Sequence, residues 1–349
     1  MMQKNKKIPS TPKIRYFATV LPGLEHVLAD EIAAKIADAA ISATARGKVF
    51  FKTRLPAEEL QCLRSADNLY RFISHFPAGP HKMDLPQLEK RIGEADLSFI
   101  ERRGISTRFV VNASRSGKHT YSRFDAAEAA MRAIAKRRPD WRRGTADDHN
   151  LEFRLDIEGE NALFSLRLTD ASYRYRGTMR RFAPAALRPT VAHCFVWLSK
   201  PEADDVFLDP CCGSGTILCE RLAYPAQRIT GGDISEEAVR AARQNAPLLE
   251  SHVHRWDARQ LPMDSGSVDK IVSNLPFGMQ ISVPEQLGAF YRDVMREMDR
   301  VLKRRGTAIF LADDETALIR AAEPSGLHLR ETVPLSLKGL NPRLFIFTK

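Results

Sequence analysis

The four residues Asn274-Leu275-Pro276-Phe277 directly follow an apolar stretch that predicts a strand. An amino group conjugated to a heteroaromatic ring is a weak nucleophile, because its lone pair is delocalised into the ring. The Asn274 side-chain oxygen and the Leu275 backbone carbonyl can accept both protons of such a group and favour a pyramidal nitrogen. Pro276 restricts the turn, and Phe277 offers a ring on which an extruded base can stack. These residues are therefore predicted to catalyse alkylation of an exocyclic amino nitrogen.

A loop with two glycines follows an earlier predicted strand, Val206–Leu208, and reads Asp209-Pro-Cys-Cys-Gly213-Ser-Gly215-Thr216. Glycines at the carboxyl end of a strand let a ligand approach the backbone closely. A pyrophosphate-binding loop would have a third glycine three residues after Gly215, where Leu218 stands. The acid before the loop instead favours a ligand with a positive charge, such as the ammonium of S-adenosylmethionine. We expect this cofactor to be bound by Asp209, Cys211, Gly213, Ser214, Gly215 and Thr216.

Two more carboxylates follow the next predicted strands. Asp233 is placed to accept hydrogen bonds from ribose hydroxyls, and Asp257 from an adenine amino group. Ile234 and Ala258 would flank the adenine ring. Each acid alone is more typical of a helix N-cap or a turn, but three in register with successive strands predict a nucleoside cofactor. The fourth strand places Asn274 beside that cofactor, so we expect Asn274 to contact the cofactor as well as the amino group. This position favours catalysis over an ordinary strand-ending turn.

The elements that position these motifs alternate between strand and helix from about residue 185 onward. This alternation predicts an α/β, Rossmann-like sheet that is mainly parallel and has helices on both faces. The predicted strands are Val206–Leu208, Arg228–Gly232, Val253–Trp256, Val268–Ser273, Thr307–Ala312, Leu327–Val333 and Leu344–Phe347. The predicted helices are Ile217–Ala223, Glu236–Asn245 and Leu287–Lys303.

The first half of the chain predicts two α+β units and a connector. Residues 1–77 follow the β-α-β-β-α-β order of a ferredoxin-like unit. Its predicted elements are Lys13–Val20, Leu24–Lys35, Ser42–Ala45, Lys48–Lys52, Pro56–Asp67 and Leu69–Phe76. Residues 78–170 form a second predicted unit, with Leu85–Arg103, Thr107–Ala113, Asp125–Arg138, Leu151–Ile157 and Ala162–Thr169. Residues 171–190 read as a linker, and residues 191–349 form the alternating domain.

The net charge of +10 is concentrated in the first half of the chain. Residues 1–189 contain 34 Lys and Arg against 22 Asp and Glu, and the remainder contains 19 against 21. A basic half of this kind favours contact with a polyanion, although a solubilising surface explains the charge equally well.

Basic residues interleaved with aromatic ones form the most concentrated part of this charge. Cations bind backbone phosphates, and exposed aromatic rings stack on unpaired bases. The alternative is a solvated face whose aromatic residues belong to the core. The aromatic residues are Tyr121, Phe124 and Trp141. The candidate RNA-binding residues are Arg115, Lys118, Arg123, Arg137, Arg138, Arg142, Arg143, Arg174 and Arg176, with Arg180-Arg181 before Pro184 extending the basic edge of the linker.

Cysteine usage and the start of the chain bear on compartment and metals. The five irregularly spaced cysteines argue against a disulfide framework, and adjacent Cys211 and Cys212 argue against a tetrahedral metal site. No apolar run approaches the roughly 18 residues of a membrane span, and Met1–Ser10 has no apolar signal core. We expect a cytoplasmic protein with reduced thiols and no metal.

The motifs resemble those of class I methyltransferases, and Asn274-Leu275-Pro276-Phe277 is similar to their (Asn/Asp)-Pro-Pro-(Tyr/Phe) motif, with Leu275 in place of the first proline. The whole chain resembles THUMP-domain RNA guanine-N2 methyltransferases of the tRNA guanine-6 type. The segments that carry this resemblance are Phe17–Glu25, Arg108–Phe124 and Tyr173–Leu187. It implies a ferredoxin-like unit and a THUMP domain (residues 78–170) that hold the acceptor end and 3′ tail of tRNA, and methylation of a guanosine N2 in the acceptor stem.

Other functions are compatible with parts of the sequence. The catalytic motif alone also allows amino methylation of ribosomal RNA, DNA or a protein glutamine, and the basic half allows RNA binding without catalysis. A nicotinamide oxidoreductase is disfavoured by Leu218. Asp293 or a water molecule could accept the proton that leaves the amino group, and we expect a monomer.

Overall fold

A computed structural model describes residues 12–100, 107–170, 172–177, 186–277, 284–337 and 339–349. The strands of these residues form two sheets, one of eight strands and one of seven. The predicted residues Arg103, Arg180, Arg181 and Pro184 lie outside the described residues. In the described part of the chain, no helix has the length and apolar character needed to cross a membrane.

The first elements agree with the order predicted for the ferredoxin-like unit except at its second helix. They are β1 (Ile14–Thr19), α1 (Glu25–Lys35), β2 (Ala40–Ala45), β3 (Lys48–Thr53) and β4 (Asn68–Pro77). The predicted helix Pro56–Asp67 is wrong in type and length, since only a 3-10 helix over Ala57–Cys62 forms. The backbone N–H groups of Arg64 and Ser65 donate to the Glu31 carboxylate instead of to helix carbonyls, so the helix cannot continue.

The next elements continue the same sheet. They are α2 (Leu85–Gly93), β5 (Arg108–Ser116), α3 (Arg123–Arg137), β6 (Arg142–Arg143), β7 (Leu151–Glu158) and β8 (Asn161–Arg167). Strand β4 pairs with β8, which gives the order β2-β3-β1-β4-β8-β7-β5-β6. The predicted boundary at residue 77 therefore coincides with the end of a strand shared by both units, and their division into separate domains stays a prediction.

Two helix ends in this half differ from the predictions for local reasons. Helix α2 ends at Gly93, well before the predicted Arg103, and the Asp96 side chain then accepts the Ser98 backbone N–H in a turn. Helix α3 begins two residues earlier than predicted, because Ser122 and Asp125 form a reciprocal capping box.

The second sheet confirms the predicted alternation and adds two helices. Its elements are α4 (Pro189–Leu198), β9 (Val206–Asp209), α5 (Thr216–Arg221), β10 (Arg228–Asp233), α6 (Glu236–Asn245), β11 (Val253–Arg255), β12 (Val268–Asn274), α7 (Pro284–Val301), β13 (Leu302–Ala312), α8 (Glu315–Ala322), β14 (His328–Pro334) and β15 (Arg343–Thr348). The strand order is β11-β10-β9-β12-β13-β15-β14, and β11 through β13 are parallel. The order reverses between β9 and β12, which is where α/β sheets bind ligands.

A buried polar cluster joins the two sheets. Helix α4 packs against both α1 and α5. It places His193 with Nε2 3.1 Å from Glu31 and Nδ1 3.5 Å from Glu220. Glu220 also accepts hydrogen bonds from Arg64 at 2.7 and 3.1 Å and lies 3.5 Å from Arg176. We call these five residues the His193 cluster. Burial alone would raise the pKa of both glutamates, but His193 and the neighbouring cations hold each at about 2.

Candidate cofactor and amino-methylation site

A cavity of about 690 Å³ lies at the carboxyl ends of β9, β10 and β12, at the point where the strand order reverses. Its volume is typical of a site for a small-molecule ligand. The predicted residues on its wall are Asp209, Cys211, Gly213, Ser214, Thr216, Asp233, Ile234, Asp257, Ala258, Asn274 and Pro276. Gly215, Leu275 and Phe277 are not on the wall.

The two glycines of the glycine loop have different surroundings and different roles. Gly213 has φ +52° and faces the cavity, with nothing within 4 Å of the place a Cβ would take. Gly215 has φ +79°, and a Cβ there would lie 3.0 Å from the Cβ of Ala242 on α6. Gly213 therefore leaves room for a ligand, whereas Gly215 lets the start of α5 pack against α6.

Asp209 is a fully buried carboxyl at the end of β9. Its Oδ1 accepts hydrogen bonds from Ser273 Oγ at 2.6 Å and from the backbone N–H of Cys211 at 3.3 Å. Its Oδ2 is buried and has no hydrogen-bond partner among the described residues. Burial raises the pKa of Asp209 to about 7, although the Ser273 hydrogen bond opposes this rise. An ammonium group of a ligand would supply the missing partner and favour the ionised form.

Asp233 and Asp257 lie at the tips of the two neighbouring strands. Asp233 accepts the backbone N–H groups of Gly213 and Ser235, each at 3.0 Å. The N-cap of α6 is Ser235 and not Asp233, so the capping alternative for Asp233 is excluded. Asp257 accepts hydrogen bonds from Arg259, and these bonds lower its pKa. Each carboxylate oxygen has two lone pairs, so both acids retain acceptor capacity toward a ligand.

The predicted catalytic turn is divided between the cavity and the core. Asn274 Oδ1 is buried without a hydrogen-bond partner among the described residues, and Asn274 and Pro276 line the cavity. The Pro276 carbonyl accepts the Tyr291 hydroxyl at 3.0 Å. The Leu275 side chain is buried in the core, and its N–H donates to Leu311 on β13. Phe277 is half-buried and packs against the core, so its role in base stacking stays a prediction.

The aromatic residues of the basic half have different environments. Tyr121 and Trp141 are buried, which contradicts a stacking role for them because their rings belong to the core of the first sheet. The Tyr121 hydroxyl donates to the Gly79 carbonyl. Phe124 is 70% exposed at the start of α3, and the Arg123 guanidinium lies 4.8 Å from the centre of its ring. Phe124 is therefore the predicted aromatic residue that remains available to an RNA base.

The predicted RNA-binding cations are also divided. Arg176 is mostly buried in the His193 cluster, so the prediction that it lies along RNA is contradicted by its pairing with Glu220. Arg138 and Arg143 form ion pairs with Asp140 and Glu128. Arg174 is half-buried beside the Tyr175 ring. The exposed members of the set are Arg115, Lys118, Arg123, Arg137, Arg142 and Arg143.

Known proteins are similar to this chain over nearly its whole length. Residues 176–341 match the family model described as RMKL-like, methyltransferase domain. A tRNA (guanine(6)-N2)-methyltransferase of Thermus thermophilus is 30% identical over 350 residues, covering 95% of this chain and 98% of that protein. The chain belongs to the tRNA (guanine(6)-N2)-methyltransferase family.

Two further similarities bear on this methyltransferase. The crystal structure of TrmN from Thermus thermophilus has a TM-score of 0.81 and 26% identity, covering 96% of this chain and 99% of that one. A bovine U6 snRNA (guanine-N(2))-methyltransferase, THUMPD2, is 35% identical over 136 residues, 38% of this chain and 26% of that protein. Family membership and fold confirm the predictions of a class I methyltransferase and of S-adenosylmethionine as its cofactor.

The described residues of the methyltransferase fit S-adenosylmethionine. The unpartnered Asp209 Oδ2 suits the ammonium, Asp233 suits the ribose hydroxyls, and Asp257 with Ile234 and Ala258 suits the adenine. When bound, this cofactor supplies a methyl group made electrophilic by its sulfonium. The residues of the chain then have to bind it, orient the acceptor nitrogen and exclude water.

The sequence named Asp293 as a candidate proton acceptor, but it did not indicate that Phe290 lines the cavity or that Ser273 contacts Asp209. Phe290 and Asp293 lie one turn apart on α7 and share the face toward the cavity, and Asp293 also pairs with Arg296. Helical spacing places these two residues on one face, but only the packing of α7 shows which face meets the cavity. Ser273 is a buried polar residue near the end of β12, and its bond to Asp209 depends on the pairing of β12 with β9.

The cysteines of the methyltransferase are free thiols. Burial raises the pKa of Cys211 and Cys212 well above the usual thiol value, and the charges of nearby carboxylates raise it further. Both thiols therefore stay protonated. No group of His, Cys, Asp and Glu side chains suited to a metal ion occurs in the part of the chain that the structure describes.

Proposed function

We propose that this protein transfers a methyl group from S-adenosylmethionine to the exocyclic N2 amino group of a guanosine in the acceptor stem of tRNA, at position 6. The observation that carries the chemistry is Asn274 on the cavity wall, whose buried side-chain Oδ1 has no hydrogen-bond partner among the described residues. An unsatisfied buried acceptor costs about 1–3 kcal/mol. The amino group of an extruded base would satisfy this oxygen as it reacts.

The roles of the remaining site residues follow from this proposal. Asn274 Oδ1 accepts one amino proton. The Leu275 carbonyl accepts the other when the base is bound, although Leu275 does not line the cavity in this structure, and Pro276 restricts the turn that presents both groups. Asp209, Asp233 and Asp257 bind the ammonium, ribose and adenine of the cofactor. Asp293 lines the cavity and accepts the proton released after transfer.

The choice of RNA and base rests on charge and on the relatives. The exposed cations in the first half of the chain suit a phosphate backbone, and exposed Phe124, beside Arg123, suits a base. Both named relatives act on guanine N2, one in tRNA and one in U6 snRNA. The tRNA enzyme is similar to 95% of this chain, whereas the snRNA enzyme is similar to 38%. This difference supports tRNA, and with it a cytoplasmic location; a monomeric state stays a prediction from sequence.

Methylation of total tRNA with labelled S-adenosylmethionine tests the proposal, with the product nucleoside identified by mass spectrometry and its position mapped by nuclease digestion. Asn274→Ala should reduce turnover roughly 100- to 1000-fold, as loss of a preorganised polar contact does elsewhere. Its affinity for S-adenosylhomocysteine, measured by calorimetry, should change little. Asn112→Ala, an exposed asparagine on β5, is the matched control.

Three results would contradict the proposal. The first is a wild-type protein that methylates no guanosine in tRNA, and the second is full activity of Asn274→Ala. The third is preferential methylation of ribosomal RNA, snRNA or DNA when these compete with tRNA. The last result would retain the amino-methylation chemistry and replace the substrate.

A further inference from the structure

One cation faces the cofactor cavity in the part of the chain that the structure describes. The wall contains the carboxylates of Asp209, Asp233, Asp257 and Asp293, and Arg259 is its single Lys or Arg among the described residues. RNA carries one negative charge per nucleotide, and its phosphates approach this acidic wall when a base enters the cavity. Among the described wall residues, Arg259 is therefore the one side chain whose charge attracts a phosphate.

The Arg259 guanidinium forms hydrogen bonds to described residues along one edge only. Its Nε lies 3.0 Å from both carboxylate oxygens of Asp257, and its Nη2 donates to Oδ2 at 2.6 Å. Its Nη1 makes no hydrogen bond to another described residue, and the side chain is 48% exposed. The guanidinium is thus oriented by Asp257 while its free edge still carries donors.

We propose that Arg259 binds a backbone phosphate of the RNA next to the nucleotide that enters the cavity, an assignment that rests on the proposed RNA methyltransferase function. A guanidinium presents a planar fork of N–H donors that matches phosphate oxygens. Asp257 keeps this fork at the rim while its remaining lone pairs serve the adenine of the cofactor. Arg259 is a positioning residue, because it holds the backbone beside the reacting base and does not touch the reacting atoms.

A narrower role would also explain the contact between Arg259 and Asp257. Hydrogen bonding to Arg259 lowers the pKa of Asp257, so the arginine could serve the cofactor site alone. The two roles differ in what the loss of Arg259 changes. A phosphate contact affects RNA affinity and its dependence on salt, whereas support for Asp257 affects cofactor affinity.

The test compares the full-length wild type with Arg259→Gln and Arg259→Lys. Binding of tRNA is measured at several potassium chloride concentrations with saturating S-adenosylhomocysteine, and cofactor affinity is measured separately by calorimetry. Arg259→Gln should weaken tRNA binding about tenfold at 0.1 M salt and reduce the slope of log K against log salt by about 1. Arg259→Lys should keep the slope, and S-adenosylhomocysteine affinity should stay within about twofold in both variants.

Arg255→Gln is the matched control, because Arg255 is 64% exposed on the same strand end, pairs with Glu236 and does not line the cavity. It should leave the salt slope unchanged. An unchanged slope in Arg259→Gln, or a loss confined to cofactor affinity, would overturn the assignment of Arg259. A wild-type protein that neither binds nor methylates RNA would overturn the proposed function itself, which separates the two failures.

Discussion

Asp209 couples cofactor binding to pH at the scale of a single residue. Its pKa is raised to about 7 by burial, and the proposed contact with the cofactor ammonium requires the ionised carboxylate. Affinity for S-adenosylhomocysteine should therefore fall as the pH decreases through about 7. Ser273→Ala removes the hydrogen bond that lowers the Asp209 pKa, so it should move this midpoint to higher pH. Calorimetric titrations between pH 5.5 and about 8.5 measure both midpoints.

The same group has the opposite effect on the stability of the ligand-free protein. A carboxyl whose folded-state pKa exceeds its unfolded value stabilises the fold fully below the unfolded pKa, and this stabilisation is lost as the pH rises to about 7. Asp209→Asn should therefore raise the melting temperature at pH 8, weaken cofactor binding and remove the pH dependence of that binding. Unchanged pH dependence in Asp209→Asn would show that another group titrates.

The glycine loop shows how one element is fixed to the next. Gly215 and Gly159 both have positive φ, at +79° and +58°, but only Gly215 has a neighbour where a Cβ would lie. An alanine in the left-handed region costs roughly 1–2 kcal/mol at either position. The contact with Ala242 should add about 1 kcal/mol or more to the loss in Gly215→Ala.

Chemical denaturation of Gly215→Ala and Gly159→Ala separates backbone strain from crowding. Gly215→Ala should also weaken cofactor binding, because α5 begins at Thr216 on the cavity wall. Equal losses of unfolding free energy in the two variants would show that α6 moves to accept the methyl group.

The His193 cluster determines how the two halves of the whole molecule are held together. Glu31 comes from α1, His193 from α4 and Glu220 from α5, and all three are fully buried. Without His193, Glu31 keeps its pair with Lys35 and Glu220 keeps its pair with Arg64, so each buried carboxylate loses one hydrogen-bonding partner and not all of them. Loss of one partner of a buried polar group costs about 1–3 kcal/mol. His193→Leu should show a loss of this size, whereas Arg143→Gln, which breaks an exposed pair with Glu128, should cost less than about 1 kcal/mol.

Thermal unfolding as a function of pH gives a second measurement of the same cluster. The pKa of Glu31 and of Glu220 is lowered to about 2, so the stability that they contribute is present above pH 4.5 and is lost as the pH falls toward 2. Glu220→Gln should flatten this acid-dependent loss. A variant that retains the full acid dependence would assign it to other carboxyls.

Most of the catalytic half was predictable from local sequence patterns. The loop at Asp209, the acids at 233 and 257 and the turn at Asn274 each follow a strand, and parallel strands bring their carboxyl ends to one edge of a sheet. The local pattern was therefore sufficient to collect most of the cavity wall. Helix α4 was missed because eight of its ten residues are buried, and a helix that is apolar on all sides has no periodic signature.

Features that depend on contacts between distant segments were not predictable from local patterns. The pairing of β4 with β8 merged two predicted units into one sheet, and Glu31 ended the helix predicted at Pro56–Asp67 by taking its backbone donors. Phe124 is exposed whereas Tyr121 is buried, although both lie in the same basic segment. Arg176, which was expected to contact RNA, instead pairs with Glu220, 44 residues away, in the His193 cluster. Residue type and spacing indicate what a side chain can bind. The partner that it contacts in the folded protein depends on segments far apart in the chain.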